Sequence, residues 1–354
     1  MGLAGTMPGL LACGGSSAND DASTTGSPTT GVDTSASSGG ESTTTAPQGW
    51  TTVVEAGEDV GAFFSVWGPS AELVYAVGGQ QGEGGISIGA MMRREGGTWS
   101  AAALPPETAK LNWIHGRDTL RVVVGERGTI LVRDGDDGEW ELFGCGTVLP
   151  LWGTWISAPD DVWAVGGDGF MRDPVLCHFD GSAWTEVVLP ELSVDSKGLF
   201  KVFGVAADDV WSVGDAGLLL HWDGSAWAQV EVDTPSDLIS IWGTGANDLL
   251  AVGGRANGVL LRYDGTAWTS TALAEVSGLN GVWMDASGTA RIGGVQGTIA
   301  IVDAGSATPQ LEDTDTLRTI HALWQADDGR SYAVGGSIDL PPPFVGVILE
   351  RAPD

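Results

Sequence analysis

The sequence predicts an all-β protein, a seven-bladed β-propeller of four-stranded blades. From residue 50 onward a unit of about 40 residues recurs, and this period lies in the range of propeller blades. Each unit contains four short strand signals separated by turn residues. The 354-residue chain also has 55 Gly and 16 Trp, which suits tight turns and wide side chains packed between sheets.

The repeat is clearest at residues 238–271, which read "LISIWGTGANDLLAVGGRANGVLLRYDGTAWTST". The aromatic position of its "IWG" run can be followed through the chain, because a glycine stands eleven residues later in every copy. These anchors are Trp67, Ile114, Trp155, Phe203, Trp242, Trp283 and Trp324. Seven anchors predict seven blades. Three tryptophans, Trp113, Trp152 and Trp222, lie outside the recurring positions.

Each unit is predicted to form four strands. The first is the "SIW" run, the second resembles "VWAVG" at 162–166, the third resembles "VLLRY" at 259–263, and the fourth begins at a Trp such as Trp268. Asp-Gly steps separate the third and fourth strands and predict tight hairpins, because glycine accepts the positive φ that such turns need. These steps begin at Asp180, Asp223 and Asp264.

The two ends of the repeat region complete each other. The seventh unit ends at "FVGVILERAPD" with only three strand signals, whereas "GWTTVV" at 49–54 matches the fourth-strand sequence "AWTEVV" at 183–188. We therefore expect the N-terminal strand to close the last blade, which removes the free sheet edges that favour aggregation. The propeller domain is predicted to span 49–354.

The N-terminal segment is a separate region. Residues 1–13 read "MGLAGTMPGLLAC", and Leu10 to Cys13 followed by Gly14 resembles the lipobox of bacterial lipoproteins. The resemblance implies a signal segment at 1–13, acylation of Cys13 and export to the outer membrane or cell surface. The alternative is a chance match in a flexible tail.

Residues 14–48 are predicted to be a disordered linker. Sixteen of these 35 residues are Ser or Thr, and Val32 is the only large apolar side chain among them. Such a segment buries too little apolar surface to offset the entropy of ordering. A random coil of this length spans about 30–35 Å, enough to hold a folded domain away from a membrane to which Cys13 is anchored.

The units over 50–354 resemble a repeat of exported bacterial proteins, of the form VWG…DVWAVG…ILHYDGSAW, for which a propeller fold is expected. They are also loosely similar to kelch repeats, through Gly253-Gly254, Tyr263 and Trp268. The similarity to the Asp-box is partial, because Asp180 precedes Trp184 by four residues where that motif has five.

The chain is strongly acidic. It carries 46 Asp and Glu against 16 Lys and Arg, a formal charge of -30, which argues against nucleic acid as a partner. It has no apolar run of 18 residues, so the expected membrane contact is the lipid anchor alone. Of three cysteines, Cys145 and Cys177 flank the third blade and are a candidate disulfide in an exported protein, with two unpaired thiols as the alternative.

Residue types associated with chemistry do not converge in the repeat. His178 and His221 occupy equivalent positions in successive blades, so they point around the ring and do not predict a metal site. His115 and His321 are placed near the axis, where a structural role is the simpler reading. Motifs of nucleophilic or metal-dependent hydrolases are not found in the sequence. We expect no metal, no cofactor and no catalytic residues.

Loop lengths suggest a binding rim. Connections on one face of the ring vary in length, and the two longest between second and third strands, 78–87 and 335–345, belong to blades 1 and 7, which become neighbours on closure. Variable loops on one face of a repeat protein often mark the binding face. The candidate rim comprises Gln80, Gln81, Glu83, Ile338, Asp339 and Pro342. Neutral variation of loop length is the alternative.

These observations favour a non-enzymatic, lipid-anchored binding or scaffold propeller that recognises a protein or glycan at the cell surface, and we expect it to be a monomer. The alternative is a secreted glycan-active hydrolase or lyase on the same scaffold. An enzyme requires convergent carboxylates or an arginine cluster in one pocket, whereas a binding module requires a rim of loops.

Overall fold

A computed structural model describes residues 49–82, 87–169, 171, 173–338 and 341–353. The first strand is β1 (Thr51–Ala56). Blade 1 contains β2 (Ala62–Ser70), β3 (Leu73–Gln81), β4 (Ser87–Glu95) and β5 (Thr98–Ala101). Blade 2 contains β6 (Leu111–Arg117), β7 (Leu120–Gly125), β8 (Ile130–Asp134) and β9 (Glu141–Phe143). Blade 3 contains β10 (Leu151–Ala158), β11 (Asp161–Gly167), β12 (Pro174–Phe179) and β13 (Trp184–Glu186).

Blade 4 contains β14 (Leu199–Ala206), β15 (Asp209–Gly214), β16 (Leu219–Trp222) and β17 (Trp227–Gln229). Blade 5 contains β18 (Leu238–Gly245), β19 (Asp248–Gly253), β20 (Asn257–Tyr263) and β21 (Trp268–Ser277). Blade 6 contains β22 (Leu279–Met284), β23 (Ala290–Gly294), β24 (Ile299–Val302) and β25 (Gln310–Glu312). Blade 7 contains β26 (Thr319–Gln325), β27 (Ser331–Gly336), β28 (Gly346–Arg351) and β1. Short 3-10 turns lie at Glu126–Gly128, Asp215–Gly217 and Val295–Gly297.

The seven four-stranded sheets confirm the predicted fold. Six sheets use consecutive antiparallel strands, and the seventh has the order β1-β28-β27-β26, so the N-terminal strand closes the last blade as expected. Thr51 pairs with Glu350 and Ala56 pairs with Gly346. Among the described residues, no helix has the length and apolar character needed to cross a membrane.

The Asp-Gly hairpins form because the Asp side chain caps its own turn. Oδ1 of Asp180 accepts hydrogen bonds of 2.9 Å from the backbone N–H groups of Ser182 and Ala183, while Gly181 takes a φ of 87°. These hydrogen bonds, together with one from the Ser182 hydroxyl that is the largest cause, lower the pKa of Asp180 to about 2. The hairpins that begin at Asp223 and Asp264 repeat this arrangement.

Neighbouring blades pack through the anchor positions. A Cβ atom on Gly116 of blade 2 would lie 2.1 Å from the Trp67 ring of blade 1, and one on Gly204 would lie 2.6 Å from the Trp155 ring. Only glycine accommodates such close approach of an indole. In these two pairs of blades, the anchor tryptophan of one blade lies against the innermost strand of the next.

The anchor of blade 2 differs from the sequence prediction. His115 pairs with Val122 as Trp67 pairs with Tyr75, so His115, not Ile114, is the equivalent residue. The first turn of blade 2 is one residue shorter than that of blade 1, and counting back eleven residues from the glycine therefore lands one position too early. His115 Nδ1 accepts a 3.2 Å hydrogen bond from the backbone N–H of Ile156 in blade 3.

The ring has two distinct faces. We call the side with the first turns and the third-to-fourth hairpins the turn face, and the side with the second-to-third and blade-to-blade connections the loop face. Trp50 precedes β1 on the turn face, because Thr51 pairs with Glu350 near the end of β28. A disulfide joins Cys145, in the connection between blades 2 and 3, to Cys177 in β12, with Cα atoms 6.0 Å apart.

Candidate functional site

A β-bulge recurs near the start of the innermost strand of every blade, at the end that lies on the loop face. In blade 1, Phe63 pairs with Gly78 and Ser65 with Val77, so that Phe64 is left without a partner in the register. Bulges of this kind re-aim a side chain. The bulged residues are Phe64, Asn112, Trp152, Phe200, Ile239, Asn280 and His321.

All seven bulged side chains line a single cavity of about 220 Å³. Because every blade contributes its innermost strand, the cavity lies on the axis of the ring, at the loop face. Lys110, Lys201, Arg255 and Ile338 complete its lining. We call this cavity, defined by these eleven residues, the axial funnel.

Aromatic rings and amides of the axial funnel are held in place by contacts between blades. The Phe64 and His321 rings lie 5.0 Å apart, and the Trp152 and Phe200 rings lie 5.2 Å apart, measured between centroids. Asn112 Nδ2 donates a 3.0 Å hydrogen bond to the Leu151 carbonyl of the next blade. The lining is therefore preorganised.

Two of the three cations in the funnel are paired with acids outside it. Lys110 Nζ lies 3.3 Å from Glu126 Oε1 and 4.5 Å from the centre of the Phe64 ring. Arg255 Nε lies 2.6 Å from Asp237 Oδ2. These pairs fix the two side chains at the edge of the funnel while reducing their net charge.

Lys201 is different because its ammonium is buried. The residue is 8% exposed, its Nζ lies 3.3 Å from the centre of the Trp113 ring, and it donates a 3.1 Å hydrogen bond to the Trp152 carbonyl. Within the described part of the chain, no carboxylate forms an ion pair with Lys201. Burial lowers the pKa of Lys201 well below 10.5.

Room for this pair comes from small residues at the same level of the ring. Lys201 and Trp113 each follow the bulged residue of their blade. The other five blades have Ser65, Gly153, Ser240, Gly281 and Ala322 at this position. A Cβ atom on Gly153 would lie 2.9 Å from the Cα of Lys201.

The residue composition of the funnel lining differs from that of the whole chain. The protein carries a formal charge of -30 and has only three lysines, two of which line the funnel. None of the described lining residues bears a carboxylate. A concave site lined by cations attracts anions, and its low-dielectric walls strengthen the interaction.

The rim residues predicted from loop length do not share one environment. Gln80 is buried and joins the loops of blades 1 and 7: its Nε2 donates hydrogen bonds of 2.7 and 3.0 Å to the carbonyls of Glu58 and Phe344, and its Oε1 accepts one of 2.6 Å from Phe344 N–H. Ile338 lines the axial funnel, whereas Gln81 and Pro342 are exposed outside it. Glu83, Asp339 and Cys13 lie outside the described residues.

The histidines of the outer strands have structural partners. His178 Nε2 lies 2.7 Å from Asp161 Oδ1, and its ring stacks on Trp163 with centroids 4.0 Å apart. His221 repeats this geometry with Asp209, at 2.9 Å. The described residues contain no group of three or more side chains suited to hold a metal ion. Desolvation and Arg117 lower the pKa of His115 to about 4, which keeps this imidazole neutral at pH 7.

The axial funnel was not predicted from the sequence, although a signal for it exists. Its bulged residues stand three positions before each anchor, counted from His115 in blade 2. The preceding position is always large and apolar: Phe63, Leu111, Leu151, Leu199, Leu238, Leu279 and Ile320. The bulged position instead carries aromatic, amide, aliphatic or imidazole side chains, so it does not follow the uniform apolar pattern of the position before it. Of the tryptophans outside the recurring positions, Trp152 lines the funnel and Trp113 contacts Lys201.

Comparison with known proteins supports the fold alone. No family model and no curated protein matches the chain. The structure titled "YCF48 bound to D1 peptide" is similar with a TM-score of 0.62 and 14% identity over 86% of this chain and 97% of that one. The WD40 β-propeller domain of Doa1 has a TM-score of 0.63 and 10% identity over 85% of this chain and 97% of that one. The extracellular domain of BT4673 from B. thetaiotaomicron has a TM-score of 0.62 and 12% identity. The match covers 85% of this chain and 40% of the BT4673 chain.

Proposed function

We propose that this protein is a non-enzymatic binding propeller that holds a protein ligand in the axial funnel, exported and anchored through a lipid on Cys13. The observation that carries the proposal is the set of seven bulged side chains directed to one cavity, with three cations beside them. Aromatic and arginine side chains in a concave, preformed site are typical of the energetic centres of protein interfaces.

The chemistry of the funnel does not favour the alternative of a glycan-active hydrolase. Glycosidases use two carboxyl groups, about 5–10 Å apart, as acid and as nucleophile or base. The described lining of the funnel offers amides, rings and cations and no such pair. Binding without bond cleavage is therefore the function that these side chains support.

The described chain enters the ring on the face opposite the opening of the axial funnel. The segment that carries Cys13 joins the ring at Trp50 on the turn face, whereas the axial funnel opens on the loop face. The proposal extends to this chain what is stated of two proteins of similar fold, the extracellular location of the BT4673 domain and the peptide bound to YCF48.

Parallel selection on peptides and glycans tests this proposal. The full chain carrying Cys13→Ser, to prevent acylation, is screened against a random dodecapeptide library and against a glycan array. We expect peptides to be enriched and their binding to be lost in Phe200→Ala, a change of a half-buried ring in the funnel. Phe143→Ala, which removes an exposed ring from an outer strand, is the matched control. Enrichment of glycans alone, or peptide binding that Phe200→Ala leaves intact, would contradict the proposal.

A further inference from the structure

Lys201 has binding capacity that the chain does not use. An ammonium group has three N–H donors. One is directed to the Trp152 carbonyl, and the Trp113 ring lies against the group at 3.3 Å. A buried charge without a counter-charge is costly, and an anion brought close to it recovers much of that cost.

The other cations of the axial funnel do not compete for this role. Lys110 and Arg255 have their own acids, Glu126 and Asp237, which lie outside the funnel lining. Lys201 is thus the cation of the funnel for which the described part of the chain supplies no carboxylate. A ligand with a carboxylate would supply the acidic partner for the Lys201 ammonium.

The dimensions and the surroundings narrow the ligand further. A volume of about 220 Å³ is below the range of about 300–1,000 Å³ that is usual for small-molecule pockets. Because the funnel opens on the loop face, a single side chain or a chain terminus of a larger ligand can enter it. The rings of Trp152 and Phe200 line the same cavity as Lys201 and offer flat apolar surfaces for the atoms that flank a carboxylate.

We propose that the axial funnel recognises an acidic peptide segment, inserting one carboxylate to pair with Lys201 Nζ while flanking apolar atoms lie on Trp152 and Phe200. This assignment rests on the proposed binding of a protein ligand in the funnel and names the chemistry by which that ligand is selected. The carboxylate comes from an Asp or Glu side chain or from a free C-terminus.

The test uses matched synthetic peptides and the full chain with Cys13→Ser. Peptides enriched in the library screen are resynthesised with each Asp or Glu changed to Asn or Gln, and with the C-terminus free or amidated. Isothermal titration should show that one of these changes weakens binding about tenfold to a hundredfold, the loss expected of a charge-assisted hydrogen bond. The position of the sensitive carboxylate distinguishes a side chain from a terminus.

Variants of the protein then assign that carboxylate to its partner. Lys201→Met should weaken the acidic peptide by the same factor and the amide peptide hardly at all, whereas Lys197→Met, which removes an exposed lysine from the same face, should change neither. Thermal melting of both variants checks the fold. Peptides that depend on Phe200 but are indifferent to their carboxylates and to Lys201 would overturn this inference while leaving the proposed function standing.

Two further outcomes contradict the assignment in other ways. Failure of every peptide to bind would overturn the proposed function and the inference together. Binding of an acidic oligosaccharide such as oligogalacturonate, dependent on Lys201 and unmatched by any peptide, would retain the anion site and overturn the peptide ligand.

Discussion

The indole nitrogen of Trp99 in blade 1 donates a 2.8 Å hydrogen bond to Oε1 of Glu350 in blade 7. The same oxygen accepts a 2.9 Å bond from Nε of Arg94, whose side chain is 5% exposed. Trp50 of blade 7 similarly donates to Glu312 of blade 6, at 3.1 Å. The outer strands are therefore linked across the blade boundaries on either side of the closing strand.

Glu350→Ala should destabilise the ring at its closure. It removes two hydrogen bonds to a carboxylate and leaves the buried Arg94 without this acid, so we expect the free energy of unfolding to fall by about 2–3 kcal/mol. Urea denaturation followed by tryptophan fluorescence measures the change. Glu95→Ala, at an exposed acid that pairs with Arg93, is the control and should cost less than about 1 kcal/mol. An equal fall in the free energy of unfolding of both variants would show that the Glu350 contact stabilises the ring no more than an exposed ion pair does.

The disulfide should add stability at the junction of blades 2 and 3. It closes a loop across a sequence separation of 32 residues, and constraint of the unfolded chain by such a loop contributes about 3–4 kcal/mol. The double change of Cys145 and Cys177 to Ala should lower the midpoint of thermal unfolding, and a reducing agent should do the same to the unchanged chain. A reducing agent that also lowers the midpoint of the double variant would point to a different cause.

The Asp-Gly hairpins should make the fold sensitive to acid. Hydrogen bonds hold the pKa of Asp180, Asp223 and Asp264 at about 2, below the ordinary value of 3.8. A carboxyl whose pKa is lower in the folded than in the unfolded state stabilises the fold above pH 3.8, and that contribution disappears as the pH falls toward 2. Replacing all three by Asn, which also caps such turns, should flatten the loss of thermal stability between pH 4 and pH 2.

Circular dichroism melts at half-unit pH intervals measure this slope. Asp137→Asn, at an exposed acid outside these hairpins, is the control and should leave the slope unchanged. A triple variant with the same slope as the unchanged chain would mean that the acid sensitivity arises elsewhere.

The fold is readable from the sequence because its main determinants are local. A period of about 40 residues, the Asp-Gly steps and the match of "GWTTVV" to a fourth strand predict seven blades and their closure. Blade 6 forms its fourth strand, Gln310–Glu312, even though it lacks the Trp of the other blades, because the ladder with Ile299–Val302 supplies the hydrogen bonds. Backbone pairing therefore tolerates the loss of one recurring side chain.

The site is harder to read because it depends on a backbone irregularity and on the closed ring. A β-bulge interrupts the alternation of side chains between two faces, so period-two patterning does not reveal that Phe64 or Trp152 turns to the axis. The contact between Lys201 and Trp113 joins blades 4 and 2 and exists only when all blades surround one axis. Loop length predicted a binding rim next to the funnel, but Gln80 of that rim is buried and links two loops.

Binding in the axial funnel should weaken at high pH. The ammonium form of Lys201 is the form that pairs with a carboxylate, and burial lowers its pKa well below 10.5. The other titratable groups that line the funnel are Lys110, Arg255 and His321. Affinity for an acidic peptide should therefore be constant at pH values well below the lowered pKa of Lys201 and fall as the pH rises through it, before the range in which an exposed lysine loses its proton. Because a bound carboxylate favours the charged amine, binding near that pKa should also take up a proton, which titrations in buffers of different ionisation enthalpy detect.

Lys201→Arg, which stays protonated throughout this range, should abolish both the fall in affinity and the proton uptake. An unchanged pH profile in Lys201→Arg would assign the titration to another group and remove Lys201 from the recognition of the carboxylate.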